Sequence, residues 1–134
     1  MKLYRAMIED SNGQPLLGRS ARALGIRTPT EVHPGSFPDV PATASNEIIQ
    51  PGNGGLSTAP DDPMNLMPFR RPLVLRGSGK DPVWEIDTND LGSELQYRQD
   101  SPTHVLIEPA RPMTLQEYES ALNATVSRWI KYSG

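Results

Sequence analysis

Few side chains in this sequence are equipped for chemistry, and they lie far apart along the chain. Arg5 sits inside an otherwise apolar run, Leu3-Tyr4-Arg5-Ala6-Met7-Ile8. A guanidinium in such a run needs a partner, either an internal carboxylate or a bound anion; an edge-strand or paired arginine fits as well as a ligand contact. Ser57 and Thr58 follow Gly54-Gly55-Leu56. They are either hydrogen-bonding groups lining a cleft or an ordinary turn-to-strand junction. His104 opens the apolar run Val105-Leu106-Ile107, and strand alternation places it on one face with Leu106 and Glu108. A capping or surface histidine would look the same. Gln99-Asp100-Ser101 reads as a turn in which Asp100 is free to accept backbone amides.

Other chemistries have no carrier here. The sequence holds no Walker loop, no glycine-rich dinucleotide fingerprint and no His-Glu-x-x-His. Its two histidines, His33 and His104, are far apart, so no metal site is expected. There is no nucleophile elbow for a serine hydrolase. With no cysteine there is no thiol nucleophile, disulfide or thiolate metal site.

The elements that must hold these residues are short. A chain of 134 residues fits a single domain over 1–134. Only 36% of it is hydrophobic, while it carries 14 Pro and 11 Gly, so much of it should be loop on a modest core. The net charge of −3 argues against a broad nucleic-acid or anionic-membrane surface. Arg70-Arg71 and the Arg19 to Arg27 stretch leave room for a local anion pocket. The N-terminus does not read as a secretory signal, and no run approaches the roughly 18 apolar residues of a membrane span.

Lys2 to Ile8 reads as a strand closed by Asp10-Ser11-Asn12-Gly13. Ser20 to Leu24 is expected to make one or two helical turns. Prolines recur from Arg27 to Pro51 and exclude a regular helix or central strand. Pro60 to Pro72 is irregular, with Met64, Leu66, Met67 and Phe69 as packing residues. Further strands are expected at Leu73 to Leu75, Val83 to Ile86, Glu94 to Arg98 and His104 to Glu108, a spacing that suits an antiparallel sheet. Thr114-Leu115-Gln116-Glu117 is a capping box, and Leu115, Tyr118, Leu122, Val126 and Trp129 give a helical stripe ending near Lys131.

These points line up, in order, with one known family. Leu3-Tyr4-Arg5-Ala6, Gly18-Arg19, Gly54-Gly55-Leu56-Ser57, Gln99-Asp100-Ser101, Thr103-His104 and Pro109-Ala110-Arg111-Pro112-Met113 resemble segments of the Tse-two exported toxins of type VI secretion. Their fold belongs to the ADP-ribosyltransferase group. The resemblance implies an α+β fold with a split antiparallel β-sheet, few helices, a long Pro-rich loop and a C-terminal helix.

It also implies a cleft that holds NAD as substrate, without a metal. By this likeness Arg5 contacts the dinucleotide, Ser57 and Thr58 position its nicotinamide end, and His104 engages the ribose; Ser57 and His104 are the expected catalytic pair, and Tyr4 is read as core. An Arg fork suits phosphate and ribose oxygens, and a hydroxyl fixes orientation. Two departures stand out. The family's Thr-Ser pair is here Leu56-Ser57, with the second hydroxyl at Thr58. The usual glutamate of the later strand is His104, and Glu108 lies about 13 Å further along the strand. The implied activity is NAD-dependent ADP-ribosyl transfer to a macromolecular acceptor, or NAD hydrolysis. Alternatives are a toxin that binds without turnover, an RNA 2′-phosphotransferase-like enzyme, or a pure interaction domain. The likeness further implies a cognate immunity protein, no membrane partner, and a cytoplasmic protein delivered to the cytoplasm of a target cell.

Overall fold

The computed structural model describes residues 1–133. Strand β1 (Lys2–Ala6) is followed by a long irregular segment broken only by β2 (Ile48–Ile49). Then come β3 (Leu56–Pro60), β4 (Val83–Asp87), β5 (Leu95–Ser101), β6 (His104–Pro109), β7 (Met113–Thr114), the helix α1 (Leu115–Asn123) and β8 (Ile130–Lys131). Six strands form one sheet in the order β5-β6-β3-β1-β4-β8, and β2 pairs with β7 apart from it. All these named pairings are antiparallel. The fold is α+β, as the sequence implied.

The main core lies between the sheet and α1. Leu3, Met7, Leu56, Trp84, Ile86, Val105 and Ile107 meet Leu115, Tyr118 and Leu122 there. Burying a large apolar side chain contributes about 1.5–3 kcal/mol, so this face supplies most of the stability. A smaller cluster of Tyr4, Ala6 and Val83 lies apart from it, under Leu66, Leu75 and Tyr132. Tyr118 also fastens helix to sheet: its buried hydroxyl donates to Ile107 O at 2.6 Å and accepts Leu56 N–H at 3.1 Å. The capping box forms as expected, with Thr114 Oγ1 accepting Glu117 N–H and Glu117 Oε1 accepting Thr114 N–H.

Four local expectations are corrected. Leu73–Leu75 is a 3-10 turn rather than a strand, because Leu75 N–H and Arg76 N–H donate back to Pro72 O and Leu73 O and close the turn locally; Leu73 and Val74 are each 85% exposed. Ser20 to Leu24 forms no helix; its carbonyls are drawn to another partner, described below. The helix stops at Asn123, where Thr125 Oγ1 donates to Leu122 O and accepts the Trp129 indole N–H. Val126 and Trp129 still pack on the core, but Lys131 lies in β8, opposite Trp84, and pairs with Glu9 at 2.7 Å. Finally, Met64, Met67 and Phe69 are exposed and only Leu66 is half-buried, so this loop is a rim and not a core segment.

Candidate active site

The sheet forks at Arg5. β1 pairs with β3 only through Leu3–Pro60 and Tyr4–Ala59. Continued register would set Arg5 opposite Thr58 and Ala6 opposite Ser57, but β1 leaves β3 there while keeping β4 as far as Ala6. β3 keeps β6 on its other side, with Ser57 opposite Leu106 and Thr58 opposite Val105.

The Arg5 side chain fills the fork. Nη1 donates to Ser57 O at 2.9 Å, while Nε and Nη2 donate to Ala23 O at 3.2 and 2.8 Å. Nη2 also reaches Ser20 O and Ala21 O at 3.4 Å. This is why Ser20 to Leu24 is no helix: its carbonyls point at a guanidinium. The partner demanded by a buried charge is thus a set of backbone oxygens. Burial pulls the Arg5 guanidinium down to about 10, with nearby Asp39 opposing the shift and Arg70 adding to it. It remains a cation at neutral pH.

A cleft of about 400 Å³ opens at the fork, within the usual range for small-molecule sites. Arg5, Ser57, Thr58 and His104 all line it, together with Arg27, Asp39 and Arg70. Leu66, Met67 and Phe69 form its apolar rim. The Ser57 hydroxyl makes no hydrogen bond among the described residues, whereas Thr58 Oγ1 donates to Val105 O at 2.8 Å and has only its lone pairs to offer. His104 is 38% exposed, and its Nδ1 meets Asp100 Oδ1 at 2.7 Å. Asp100 therefore serves a side chain, and not the backbone amides expected of it.

Charge on the cleft is one-sided. Three guanidinium groups, Arg5, Arg27 and Arg70, face one carboxylate, Asp39. Asp39 holds Arg27 through its backbone N–H at 2.6 Å and its Nη2 at 3.4 Å, and leaves Arg27 Nε buried without a partner. Among the described residues, neither Arg5 nor Arg70 has an ion-pair partner. Burial and Arg27 both lower the Arg70 guanidinium, which lies 5.1 Å from the Phe69 ring. Arg27 and Arg70 belong to the basic stretches visible in the sequence. Nothing there marked Asp39, which sits in the Pro-rich segment.

Glu108 does not line the cleft. It is fully buried and accepts Gly52 N–H at 2.7 Å, Gln96 Nε2 at 2.8 Å and the Arg98 guanidinium at 3.0 Å. Burial alone would raise its pKa, but Arg98, Gln96 and Gly52 outweigh it and hold the carboxyl below the ordinary carboxylate value. A depressed folded-state value gives stability that is present above the unfolded carboxylate range and lost as pH falls through the folded one. The thermal midpoint should therefore drop more steeply in the wild type than in Glu108→Gln as pH is lowered from about 6 to about 3. Equal slopes would show that Glu108 carries no such coupling.

The model of the Tse2 ADP-ribosyltransferase toxin family matches residues 2–131, nearly the whole chain, and the protein belongs to this family. No curated protein and no solved structure gives a significant match. Membership makes the protein an ADP-ribosyltransferase toxin, a class that implies NAD as substrate. Among the described residues there is no group of three or more His, Cys, Asp or Glu placed to hold a metal ion, and no helix long and apolar enough to cross a membrane.

Proposed function

We propose that the fork cleft binds NAD, releases nicotinamide and passes ADP-ribose to a macromolecular acceptor or to water inside a target cell. The observation that carries this reading is the surplus of guanidinium charge on a small cleft that also holds a free serine hydroxyl and a histidine. A pyrophosphate suits such a set, since Arg binds phosphate oxygens through parallel N–H donors. The orphaned Arg27 Nε and the unpaired Arg70 are the groups with most to gain from an anion. Ser57 is placed to fix the nicotinamide end, with Thr58 beside it as a lone-pair acceptor, and His104 to engage the ribose. A cognate immunity protein that covers the cleft in a producing cell's cytoplasm completes the reading.

A second reading, binding without turnover, draws on one observation: the cleft lining has no glutamate, and Glu108 is locked elsewhere. Purified protein decides between them by NAD binding and nicotinamide release, beside Ser57→Ala, Arg70→Ala and His104→Ala variants of matched thermal stability. We expect Arg70→Ala to weaken binding roughly tenfold, the loss of one charge-assisted hydrogen bond. Ser57→Ala and His104→Ala should retain binding and lose release. Binding without release, with cell extract supplying acceptors, favours the second reading. Release that requires a 2′-phosphorylated RNA points to the phosphotransferase alternative, and absence of NAD binding overturns the proposal.

A further inference from the structure

The β5–β6 hairpin is irregular at one point. Its ladder runs from Leu95–Pro109 to Gln99–Val105, then resumes at Ser101–His104. Asp100 is the extra residue between the last two pairs. A bulge of this kind leaves one residue without a cross-strand partner and re-aims its side chain. Here the re-aimed group is a carboxylate, and it lands on His104 Nδ1 at 2.7 Å. Asp100 makes no other side-chain hydrogen bond among the described residues.

A carboxylate only accepts, so the hydrogen of this bond belongs to Nδ1. In a neutral imidazole the other nitrogen then carries a lone pair. We infer that Asp100 is a positioning residue: it holds His104 as the Nδ1–H tautomer, so that Nε2 meets the cleft as a hydrogen-bond acceptor. This rests on the role given to His104 in the proposed function. It also gives that role a physical form. A carboxylate at this position accepts hydrogen bonds from a ribose hydroxyl in any orientation. A histidine does so with one nitrogen and in one tautomer, and Asp100 selects that tautomer.

The pair is half exposed, with side-chain exposures of 38% for His104 and 46% for Asp100, so its removal should leave the fold intact. His33 is exposed and does not line the cleft, so His33→Gln gives a full-length chain whose one histidine is His104. Long-range ¹H–¹⁵N correlation spectra, recorded near pH 8.5 where an imidazole is neutral, report the protonated nitrogen directly. The expected result is Nδ1–H in this chain and in Asp100→Glu, and a shift toward Nε2–H in Asp100→Ala. Nicotinamide release by Asp100→Ala should fall roughly tenfold in kcat with KM for NAD little changed, as one lost hydrogen bond predicts. An Nε2–H tautomer in the parent chain, or identical spectra for the Ala and Glu variants, overturns the inference. So does an unchanged kcat in Asp100→Ala. If the parent chain releases no nicotinamide at all, the proposed function fails, while the spectra still decide whether Asp100 sets the tautomer.

Discussion

Gly54→Ala is expected to lower the unfolding free energy by more than about 4 kcal/mol, a large share of the roughly 5–15 kcal/mol that an ordinary domain has. Gly54 has φ +110°, where side chains are rarely found, and a Cβ there would stand 2.0 Å from Asp39 O and 3.1 Å from its carbonyl carbon. Backbone of this kind cannot step aside, because Asp39 O also accepts Gly55 N–H at 3.0 Å and so pins the Pro-rich segment to the start of β3. Gly35 provides the control. Its φ of +87° is comparable but nothing lies within 4 Å of its Cβ position. Gly35→Ala should therefore cost only the conformational term, about 1–2 kcal/mol. Urea unfolding of the two variants separates close approach from backbone strain, and a Gly54→Ala value near that of Gly35→Ala would refute the steric argument. Function should follow stability here, since displacing Asp39 also frees Arg27 on the cleft wall.

The second large effect concerns Arg5. Its guanidinium has five N–H donors. Four are spent on the carbonyls of Ser57, Ala23 and the Ser20–Ala21 pair, leaving one hydrogen on Nη1 for a ligand. Arg5→Ala removes a buried cation and strands these carbonyls, at a cost of about 3–4 kcal/mol. Arg5→Lys keeps the charge but replaces a planar fork by a point donor, so about half that loss is expected. Both variants should lose NAD binding, measured at a temperature where each is folded. An Arg5→Ala protein as stable as the wild type would mean that the residue serves the ligand alone. Loss of activity in Arg5→Ala is thus not, by itself, evidence of a ligand contact.

The legible parts of this fold are those with local signals. β1, β4 and β6 follow from short apolar runs between turns, and the start of α1 from its capping box. The end of α1 is not legible because the apolar stripe continues through Val126 and Trp129 although the helix does not: Thr125 takes the Leu122 carbonyl and turns the chain. Leu73–Leu75 has strand-like residues, but pairing requires a free edge, which is a tertiary fact. The site divides the same way. Arg5, Ser57, Thr58 and His104 were marked by residue type and by family likeness, and all four line one cleft. Asp39 was invisible because its position depends on the close approach at Gly54, some fifteen residues away along a segment with no periodicity. Asp100 reads in the sequence as a turn residue; its service to His104 depends on a register shift that no single strand encodes.

The strand order carries a consequence for how the chain is made. β1 precedes its sheet neighbours β3 and β4 in chain order, and β3 leans in turn on β6. Arg5 has its Ser57 partner more than fifty residues downstream, and His104 comes later still. Pairings so distant in sequence form late and slowly. The emerging chain therefore owns no cleft until β6, which carries His104, has followed β1 and β3 out of the ribosome. In a cell that makes such a protein, synthesis and activation are separated in time by the topology itself, and a binding partner present during that interval meets a chain whose chemistry has not yet been assembled.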